Sequence, residues 1–227
     1  MKILGVDSSI PQGSVALLKD HKILFQSSLT ESSKYSDRLL PLVDLVLSKT
    51  GFSLNEVDSF CITRGPGSFT GLRVGVSLIK GFVLSTEKPF VGVDTLEAVA
   101  ACVKPTDQLI CALLDARKKQ VYTAFFKYRP DGPERISEDL AIEPEALCDE
   151  ISSPTVFAGN GLNTYRDFLQ EQLGPLFIAS EPDPEKTVAA SAAFLASDQF
   201  KKKLSFDLND LKIQYIRKSE AELNFTG

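Results

Sequence analysis

The chain has 227 residues, of which 43% are hydrophobic and 24% are charged. These proportions are typical of a globular protein with a packed core and exclude a wholly disordered chain. With 25 basic and 30 acidic side chains the formal net charge is −5, which disfavours a protein that holds nucleic acid by charge alone. The length suits one large domain or two small ones.

Targeting and redox signals in the sequence point to the cytoplasm. Asp7 follows an apolar run too short for a secretory signal, and Lys80 interrupts the most apolar stretch, so neither a leader nor a membrane contact is expected. The four cysteines lack a metal-like spacing and are expected to be free thiols in a reducing compartment. With His21 as the single histidine, multi-histidine chemistry is excluded and no metal is expected.

The first half of the chain predicts alternating strands and helices. Apolar runs bounded by turn residues predict strands at 3–6, 14–20, 22–28 and 59–63. Apolar residues at helical spacing predict helices over 36–49 and about 69–84. After a further short strand and helix, residues 104–107 are breakers and polar residues, which marks the best domain boundary in the chain.

The first predicted helix is apolar over an unusually wide arc. The arc covers roughly 220°, whereas a surface helix needs little more than about 100°. One stripe at i, i+3, i+4 and i+7 spacing consists of Leu39, Leu42, Val43 and Val46, and Leu72, Val76 and Ile79 repeat the spacing on the second helix. Periodicity leaves two alternatives open: the helix lies inside its own domain, or its excess apolar surface, which includes Leu40 and Leu47, faces a partner.

A glycine-rich turn, RGPGSFTG, joins a predicted strand to the second helix. Gly65, Gly67 and Gly71 could expose backbone N–H groups to an anion, although the spacing fits neither a dinucleotide-binding fingerprint nor a Walker A loop. The alternative is a tight turn in which Ser68 or Thr70 caps the helix. If Gly65 or Gly67 has a positive φ, any side chain there would be strained.

The second half of the chain repeats the opening of the first. A strand ends at Asp115, 108 residues after Asp7, and a polar turn and another strand follow in each case. This weak self-similarity predicts two related halves. Each aspartate could hold a hydrated metal or a phosphate, or could accept backbone N–H bonds in a turn. Arg73, one turn into the second helix, could pair with a phosphate or a carboxylate, or form an ordinary surface ion pair.

Two tandem halves of this kind are the layout of the actin, Hsp70 and sugar kinase superfamily. The fold is therefore predicted to be α/β with two lobes, 1–104 and 105–227, each a mixed sheet flanked by helices. Within that superfamily the chain resembles the TsaB (YeaZ) family over nearly its whole length. The resemblance rests on the ordered strings MKILGVDSS, RLLPLVDLVL, RGPGSFTGLRVGVSLIKG, VGVDTLEA, LLDARKKQVYTAFF and QYIRKS, of which the glycine block is the most specific.

The resemblance implies a partner subunit without catalytic residues, in the complex that transfers a threonylcarbamoyl group to the tRNA adenosine beside the anticodon. The implied partners are the metal-binding paralogue TsaD, the ATPase TsaE and a second copy of the chain, with tRNA reached indirectly through the complex. No cofactor is expected on the chain alone, and ATP or ADP would lie at the complex interface. The segment near Tyr215 is expected to pack back on the first lobe.

The resemblance places the subunit interface on the first two helices of the chain. The expected contact residues are Tyr35, Leu39, Leu42, Val43, Val46, Phe69, Leu72, Arg73, Val76 and Ile79. Asp7 and Asp115 would be remnants of phosphate loops. The alternative function is an active small-molecule kinase of the same superfamily, which would need a glycine- and threonine-rich loop after each aspartate. The chain has Ser-Ser after the first aspartate and Ala-Arg after the second.

Overall fold

A computed structural model of the chain describes residues 1–29, 35–180, 185–201 and 207–217. In the first half the elements are β1 (Lys2–Asp7), β2 (Ser14–Lys19), β3 (Lys22–Ser28), α1 (Tyr35–Thr50), β4 (Ser59–Thr63), α2 (Phe69–Thr86), β5 (Phe90–Val93) and α3 (Thr95–Ala100). In the second half they are β6 (Leu109–Asp115), β7 (Val121–Arg129), β8 (Gly132–Arg135), β9 (Leu140–Ile142), α4 (Pro144–Asp149), β10 (Thr155–Ala158), α5 (Leu162–Leu173), β11 (Phe177–Ala179) and α6 (Val188–Lys201).

The two halves form two mixed sheets with the same strand order. The first sheet runs β3-β2-β1-β4-β5, and the second runs β8-β7-β6-β10-β11, with β9 also paired to β7. In the first sheet β1 is antiparallel to β2 and parallel to β4. In the second sheet β6 is likewise antiparallel to β7 and parallel to β10. The predicted α/β fold with two related halves is therefore confirmed.

Asp7 and Asp115 occupy equivalent positions in these sheets. Asp7 is the last residue of β1 and lies opposite Ser14 of β2, while Asp115 is the last residue of β6 and lies opposite Val121 of β7. The predicted correspondence between the two aspartates is confirmed, because both end the central strand of their sheet beside the turn to its antiparallel neighbour.

Helices α1 and α2 cover one face of the first sheet because their apolar stripes meet its alternating side chains. The core between them contains Leu4, Val6 and Phe60 from the strands and Val43 and Ile79 from the helices. Both helices also contact each other. Burial of this apolar surface is the main stabilising contribution in this part of the molecule.

The helices α3 and α6 cross between the two sheets. Helix α6 packs on β1 and β2 of the first sheet, and α3 packs on β6 of the second. The close approach of α6 needs small residues, since a Cβ at Gly5 would overlap the backbone of Ala189. The sequence boundary at residues 104–107 separates the two sheets, but each half places a helix on the sheet of the other half.

Residues 207–217, which we call the C-terminal strap, contact both halves. Leu211 is buried in the core under α1 and α2. The Gln214 amide donates to the carbonyl oxygen of Arg64 at 2.8 Å, and the Tyr215 ring lies 4.9 Å from that of Phe69. On the second half, the Arg217 guanidinium donates to the carbonyl oxygen of Ala116 at 3.1 Å. The strap therefore joins the two halves at one end of both sheets.

Within the described ranges, no helix combines the length and the apolar character that a membrane span requires.

Candidate functional site

The apolar stripe selected from the sequence for the subunit interface lies in the core of the first half. Each of its members on α1 and α2 is buried, and they are Leu39, Leu42, Val43, Val46, Leu72, Val76 and Ile79. The choice of these residues as an outward surface was wrong, because periodicity gives the stripe but not the side that meets the sheet. Tyr35 begins α1, and its side chain lies outside the described residues.

Other apolar side chains of the same two helices face outward. Leu40 and Leu45 on α1 are 46% and 40% exposed, and Leu84 on α2 is 73% exposed. Val74 and Leu78 of α2 are half-buried at the edge of the core. Exposed leucines on two adjacent helices are candidates for contact with a protein partner. Leu40 was recognised in the sequence as widening the stripe, whereas the outward position of Leu45 and Leu84 was missed.

The glycine turn before α2 is built for close packing against the turn after β1. Gly65 and Gly67 have φ values of 124° and 157°, so the condition under which a side chain there would be strained is met. A Cβ at Gly67 would overlap the carbonyl oxygen of Ser9, and a Cβ at Gly71 would overlap that of Ser8. These glycines therefore let two backbone segments touch, a role that the sequence pattern alone did not separate from anion binding.

Two amides of this region, those of Ser9 and Ser68, donate hydrogen bonds within the chain. The Ser9 amide donates to the Asp7 carboxylate at 3.0 Å, and the Ser68 amide donates to the Ser9 carbonyl oxygen at 2.7 Å. Ser68 also caps α2, since its hydroxyl accepts from the Gly71 amide at 3.2 Å, as the capping alternative predicted. Thr70 is exposed. The Ser9 and Ser68 amides therefore hold the two turns together.

Asp7 is completely buried. One of its carboxylate oxygens, Oδ1, accepts from the Ser9 hydroxyl at 2.5 Å and from the Thr63 hydroxyl at 2.6 Å, in addition to the Ser9 amide. The other, Oδ2, is buried and has no hydrogen-bond partner among the residues that the structure describes. Burial raises the pKa of the Asp7 carboxyl, against the opposing effect of these hydrogen bonds. The side chain fixes the turn after β1, in line with the turn alternative.

Asp115 lies on the opposite side of a cleft between the two halves. The cleft has a volume of about 710 Å³, and its walls include Ser9 and Phe69 from the first half, Asp115 and Asn163 from the second, and Tyr215 from the strap. The Asp115 side chain is 14% exposed and accepts from the Arg117 amide at 2.8 Å. Of the two related aspartates, only this one lines the cleft.

Arg73 and Phe69 form a cluster with Tyr215 of the strap, and Phe69 and Tyr215 line the cleft. The Arg73 guanidinium lies 3.8 Å from the centre of the Phe69 ring, and its Nε donates to the Tyr215 hydroxyl at 3.2 Å. Tyr215 is 42% exposed. Arg73 therefore stacks on an aromatic ring in this structure, an arrangement that was absent from both alternatives considered for it.

The contact between the halves that sequence reasoning missed is centred on Arg135. Its guanidinium bridges Asp94, at the N-terminus of α3, and Asp139, with an Arg135–Asp94 distance of 2.6 Å. The Gln214 amide group of the strap donates to Asp139 at 2.8 Å. Burial and the nearby Asp94 charge raise the pKa of Asp139. No local motif marks such a bridge, since its members are 41 and 75 residues apart.

Two of the cysteines are poor nucleophiles. Burial raises the pKa of the Cys61 and Cys111 thiols to about 12, so both are protonated at neutral pH. All four cysteines are free thiols. In the part of the chain that the structure describes, no three His, Cys, Asp or Glu side chains are grouped so as to hold a metal ion.

The sequence was compared with protein families and curated proteins. The family model described as TsaD, tRNA N6-adenosine threonylcarbamoyltransferase, matches residues 28–225. The tRNA threonylcarbamoyladenosine biosynthesis protein TsaB of Escherichia coli is 32% identical over 75% of this chain and 76% of its own length. The corresponding TsaB of Bacillus subtilis is 28% identical over 98% of this chain and 96% of its own length.

The fold was compared with solved structures. The structure of YeaZ from Pseudomonas aeruginosa superposes with a TM-score of 0.77 at 23% identity, covering 95% of this chain and 99% of that one. The ROK hexokinase of Thermus thermophilus superposes with a TM-score of 0.50 at 10% identity, covering 89% of this chain and all of that one. These similarities confirm the sugar kinase-like fold.

Proposed function

This chain belongs to the TsaB (YeaZ) family of tRNA threonylcarbamoyladenosine biosynthesis proteins, and from that premise we propose that it is a non-catalytic partner subunit. In this proposal it associates through α1 and α2 with a TsaD-like threonylcarbamoyltransferase, or with a second copy of itself when that enzyme is absent. A TsaE-like ATPase acts in the same complex, and any nucleotide lies at the interface between subunits.

The observation that carries the proposal is the outward apolar surface of α1 and α2. Leu40, Leu45 and Leu84 are exposed on helices whose opposite stripes already fill the core of the first half. The fold does not need leucines at these positions, because they contribute little to the core. Stable protein interfaces bury about 800 Å² on each partner and concentrate their energy in a few residues near the centre.

The chemistry of the two aspartate positions supports a subunit without turnover of its own. A superfamily kinase uses the turn after its first strand to hold phosphate, but here Asp7 is buried and the Ser9 amide donates to it. The buried thiols of Cys61 and Cys111 are protonated at neutral pH. An ATP turnover assay on the purified chain tests this part directly, and turnover that survives further purification would contradict it.

The test of association is a charge placed on the outward surface. Leu40→Glu and Leu84→Glu should each leave the circular dichroism spectrum unchanged and weaken co-elution with the TsaD-like enzyme at least tenfold, because a buried unpaired carboxylate costs several kcal/mol at an interface. Ile136→Glu is the matched control, since Ile136 is 47% exposed but lies in the second half. It should co-elute like the parent chain.

Threonylcarbamoylation of tRNA in the reconstituted system provides the second readout. Activity should fall with Leu40→Glu and Leu84→Glu in proportion to the loss of co-elution, and should persist with Ile136→Glu. Val43→Glu should instead unfold the chain, because Val43 is 1% exposed in the core. Unchanged co-elution of the Leu40→Glu/Leu84→Glu double variant would place the interface elsewhere.

A further inference from the structure

The turn between β6 and β7 carries three consecutive cationic residues at the mouth of the cleft. Arg117, Lys118 and Lys119 are all exposed, and the first two line the cleft together with Arg217 of the strap. The one acidic residue among the described cleft residues is Asp115, most of whose side chain is covered. The cleft mouth is therefore locally positive on a chain whose formal net charge is −5.

The Arg117 guanidinium lies 3.6 Å from the Asp115 carboxylate, and the backbone of this turn is otherwise unfavourable for long side chains. Arg117, Lys118 and Lys119 have φ values of 61°, 51° and 58°, which lie in the left-handed region. That region costs an ordinary side chain about 1–2 kcal/mol and is better suited to glycine or asparagine. The turn is closed by its backbone, since the Ala116 amide donates to the Gln120 carbonyl oxygen at 3.0 Å. Strained positions that keep demanding side chains are typical of functional surfaces.

The first half provides an internal comparison for this turn. Its equivalent, the turn between β1 and β2, has the sequence SSIPQG without a charged residue. Ser8 and Ser9 of that turn are buried against the glycine turn before α2. Two turns at the same place in the duplicated fold therefore differ in charge, and the turn after the aspartate contains buried serines in one and exposed cations in the other.

The same cleft is lined by the aromatic residues Phe69 and Tyr215. The rings of Phe69 and Tyr215 lie 4.9 Å apart, and Arg73 stacks on Phe69. Basic and aromatic side chains that line one groove are typical of surfaces that bind RNA, where phosphates meet the cations and unstacked bases meet the rings. An acidic protein segment would use the cations but would gain less from the rings.

We propose that the Arg117–Lys119 turn contacts the phosphate backbone of the tRNA directly, so that this subunit contributes to substrate binding rather than only to assembly. The inference rests on the proposed function for its substrate class, since the family acts in tRNA modification. It differs from the expectation that tRNA reaches this chain only through its partners. Arg217 supplies a fourth cation beside the same turn.

The test neutralises the turn while preserving its backbone. Arg117→Asn/Lys118→Asn/Lys119→Asn removes three charges and places at each position a residue that tolerates the left-handed region. The matched control is Lys22→Gln/Lys104→Gln/Lys127→Gln, which removes the same charge from exposed lysines that do not line the cleft. Affinity for a fluorescent tRNA transcript is measured by polarisation between 50 and 200 mM salt, for the complex with the TsaD-like enzyme and for the full chain alone.

The asparagine variant should bind the transcript about tenfold more weakly or worse at 100 mM salt. Its plot of log affinity against log salt should be shallower by about 2–3 units, because each phosphate contact contributes roughly 0.7–0.9 to the slope. The control should retain the parent affinity and slope. Equal slopes for the asparagine variant and the parent would overturn the inference, as would an equal loss in the control.

Two further measurements separate this inference from its alternatives. The asparagine substitutions should leave co-elution with the TsaD-like enzyme unchanged. If the proposed function is wrong, the parent chain itself will not co-elute with that enzyme. If only the RNA contact is wrong, the asparagine variant will bind tRNA with the affinity of the parent. Polyglutamate is the competitor for the acidic-protein alternative. If polyglutamate displaces the transcript from the parent at equal charge concentration, the turn is a general polyanion site and the RNA assignment is wrong.

Discussion

The two aspartates that end β1 and β6 show how the same structural unit has diverged within one chain. Each aspartate is the last residue of the central strand of its sheet, and the strand order is the same in both sheets. Each also precedes a turn to an antiparallel neighbour. Asp7 is completely buried and accepts three hydrogen bonds, whereas Asp115 lines an open cleft and accepts from the following turn. Equivalent topology therefore does not imply equivalent chemistry.

The difference arises from what packs against each turn. In the first half the glycine turn before α2 presses on Ser8 and Ser9, so the turn after β1 becomes part of the core. In the second half the corresponding glycines, Gly159 and Gly161, pack on Leu113 of β6 instead and leave the turn after Asp115 uncovered. Ser8 and Ser9 thus pack against the glycine turn before α2, while Arg117, Lys118 and Lys119 remain exposed beside the cleft.

The largest expected effect comes from breaking the close packing in the first half. Gly71→Ala should lower the free energy of unfolding by about 3 kcal/mol, because its Cβ would overlap the Ser8 carbonyl oxygen and neither backbone can move freely. Urea unfolding followed by circular dichroism measures the change. The matched control is Gly81→Ala on the same helix, where a Cβ meets nothing within 4 Å. It should stabilise the chain by about 0.5–1 kcal/mol.

A smaller effect is expected at Asp7, and its sign depends on pH. Burial raises the pKa of the Asp7 carboxyl in the folded chain above its ordinary value of 3.8. Between pH 3.8 and that raised pKa, the folded chain therefore binds more protons at Asp7 than the unfolded chain does. The contribution of Asp7 to stability is therefore fully present below pH 3.8 and is lost as the pH rises through the folded-state pKa. Asp7→Asn should cost about 1–2 kcal/mol at pH 4, through a buried amide donor without an acceptor.

The stability that Asp7→Asn loses relative to the parent should be smaller at pH 7 than at pH 4. Only the parent has a buried carboxyl at position 7, and its ionisation destabilises the parent as the pH rises. Urea unfolding of both chains at the two pH values gives the difference, in which the other titrating groups cancel. Asp115→Asn should change the unfolding free energy by less than about 1 kcal/mol at either pH, because its partner Arg117 is 77% exposed. A deficit for Asp7→Asn that grows with pH would contradict the assignment of burial as the dominant cause.

The sequence predicted the fold well because its signals were local and repeated. Apolar runs ending in Asp7 and Asp115, and glycine turns feeding helices, are read within about ten residues, and their repetition gives the two related halves. The orientation of α1 was not predictable in the same way. Val43 and Leu40 both belong to its wide apolar arc, and only the position of the first sheet decides that the former is core and the latter is surface.

The contacts that join the halves were also beyond a reading of the sequence. The bridge from Arg135 to Asp94 and the strap contact between Gln214 and Arg64 connect residues that are distant in the chain and surrounded by no motif. Arg117, Lys118 and Lys119 were visible in the sequence as a run of cations. Their exposure beside the cleft depends on Gly159 and Gly161, which pack on Leu113 and not on this turn. Long-range packing thus decides which of two similar turns remains available.

The smallest expected changes in unfolding free energy concern the C-terminal strap. Tyr215 of the strap contacts the first half and Arg217 contacts the second, so substitutions there compare the two halves. Tyr215→Ala should cost about 1 kcal/mol, because it removes a ring contact with Phe69 and the partner of Arg73. Tyr215→Phe keeps the ring and should cost less than about 0.5 kcal/mol, since the lost hydrogen bond is exposed. Arg217→Ala removes the bond to the Ala116 carbonyl oxygen and should fall between the two, at about 0.5–1 kcal/mol. Urea unfolding of the three variants gives this order, and a larger cost for Arg217→Ala than for Tyr215→Ala would mean that the strap is held chiefly by the second half.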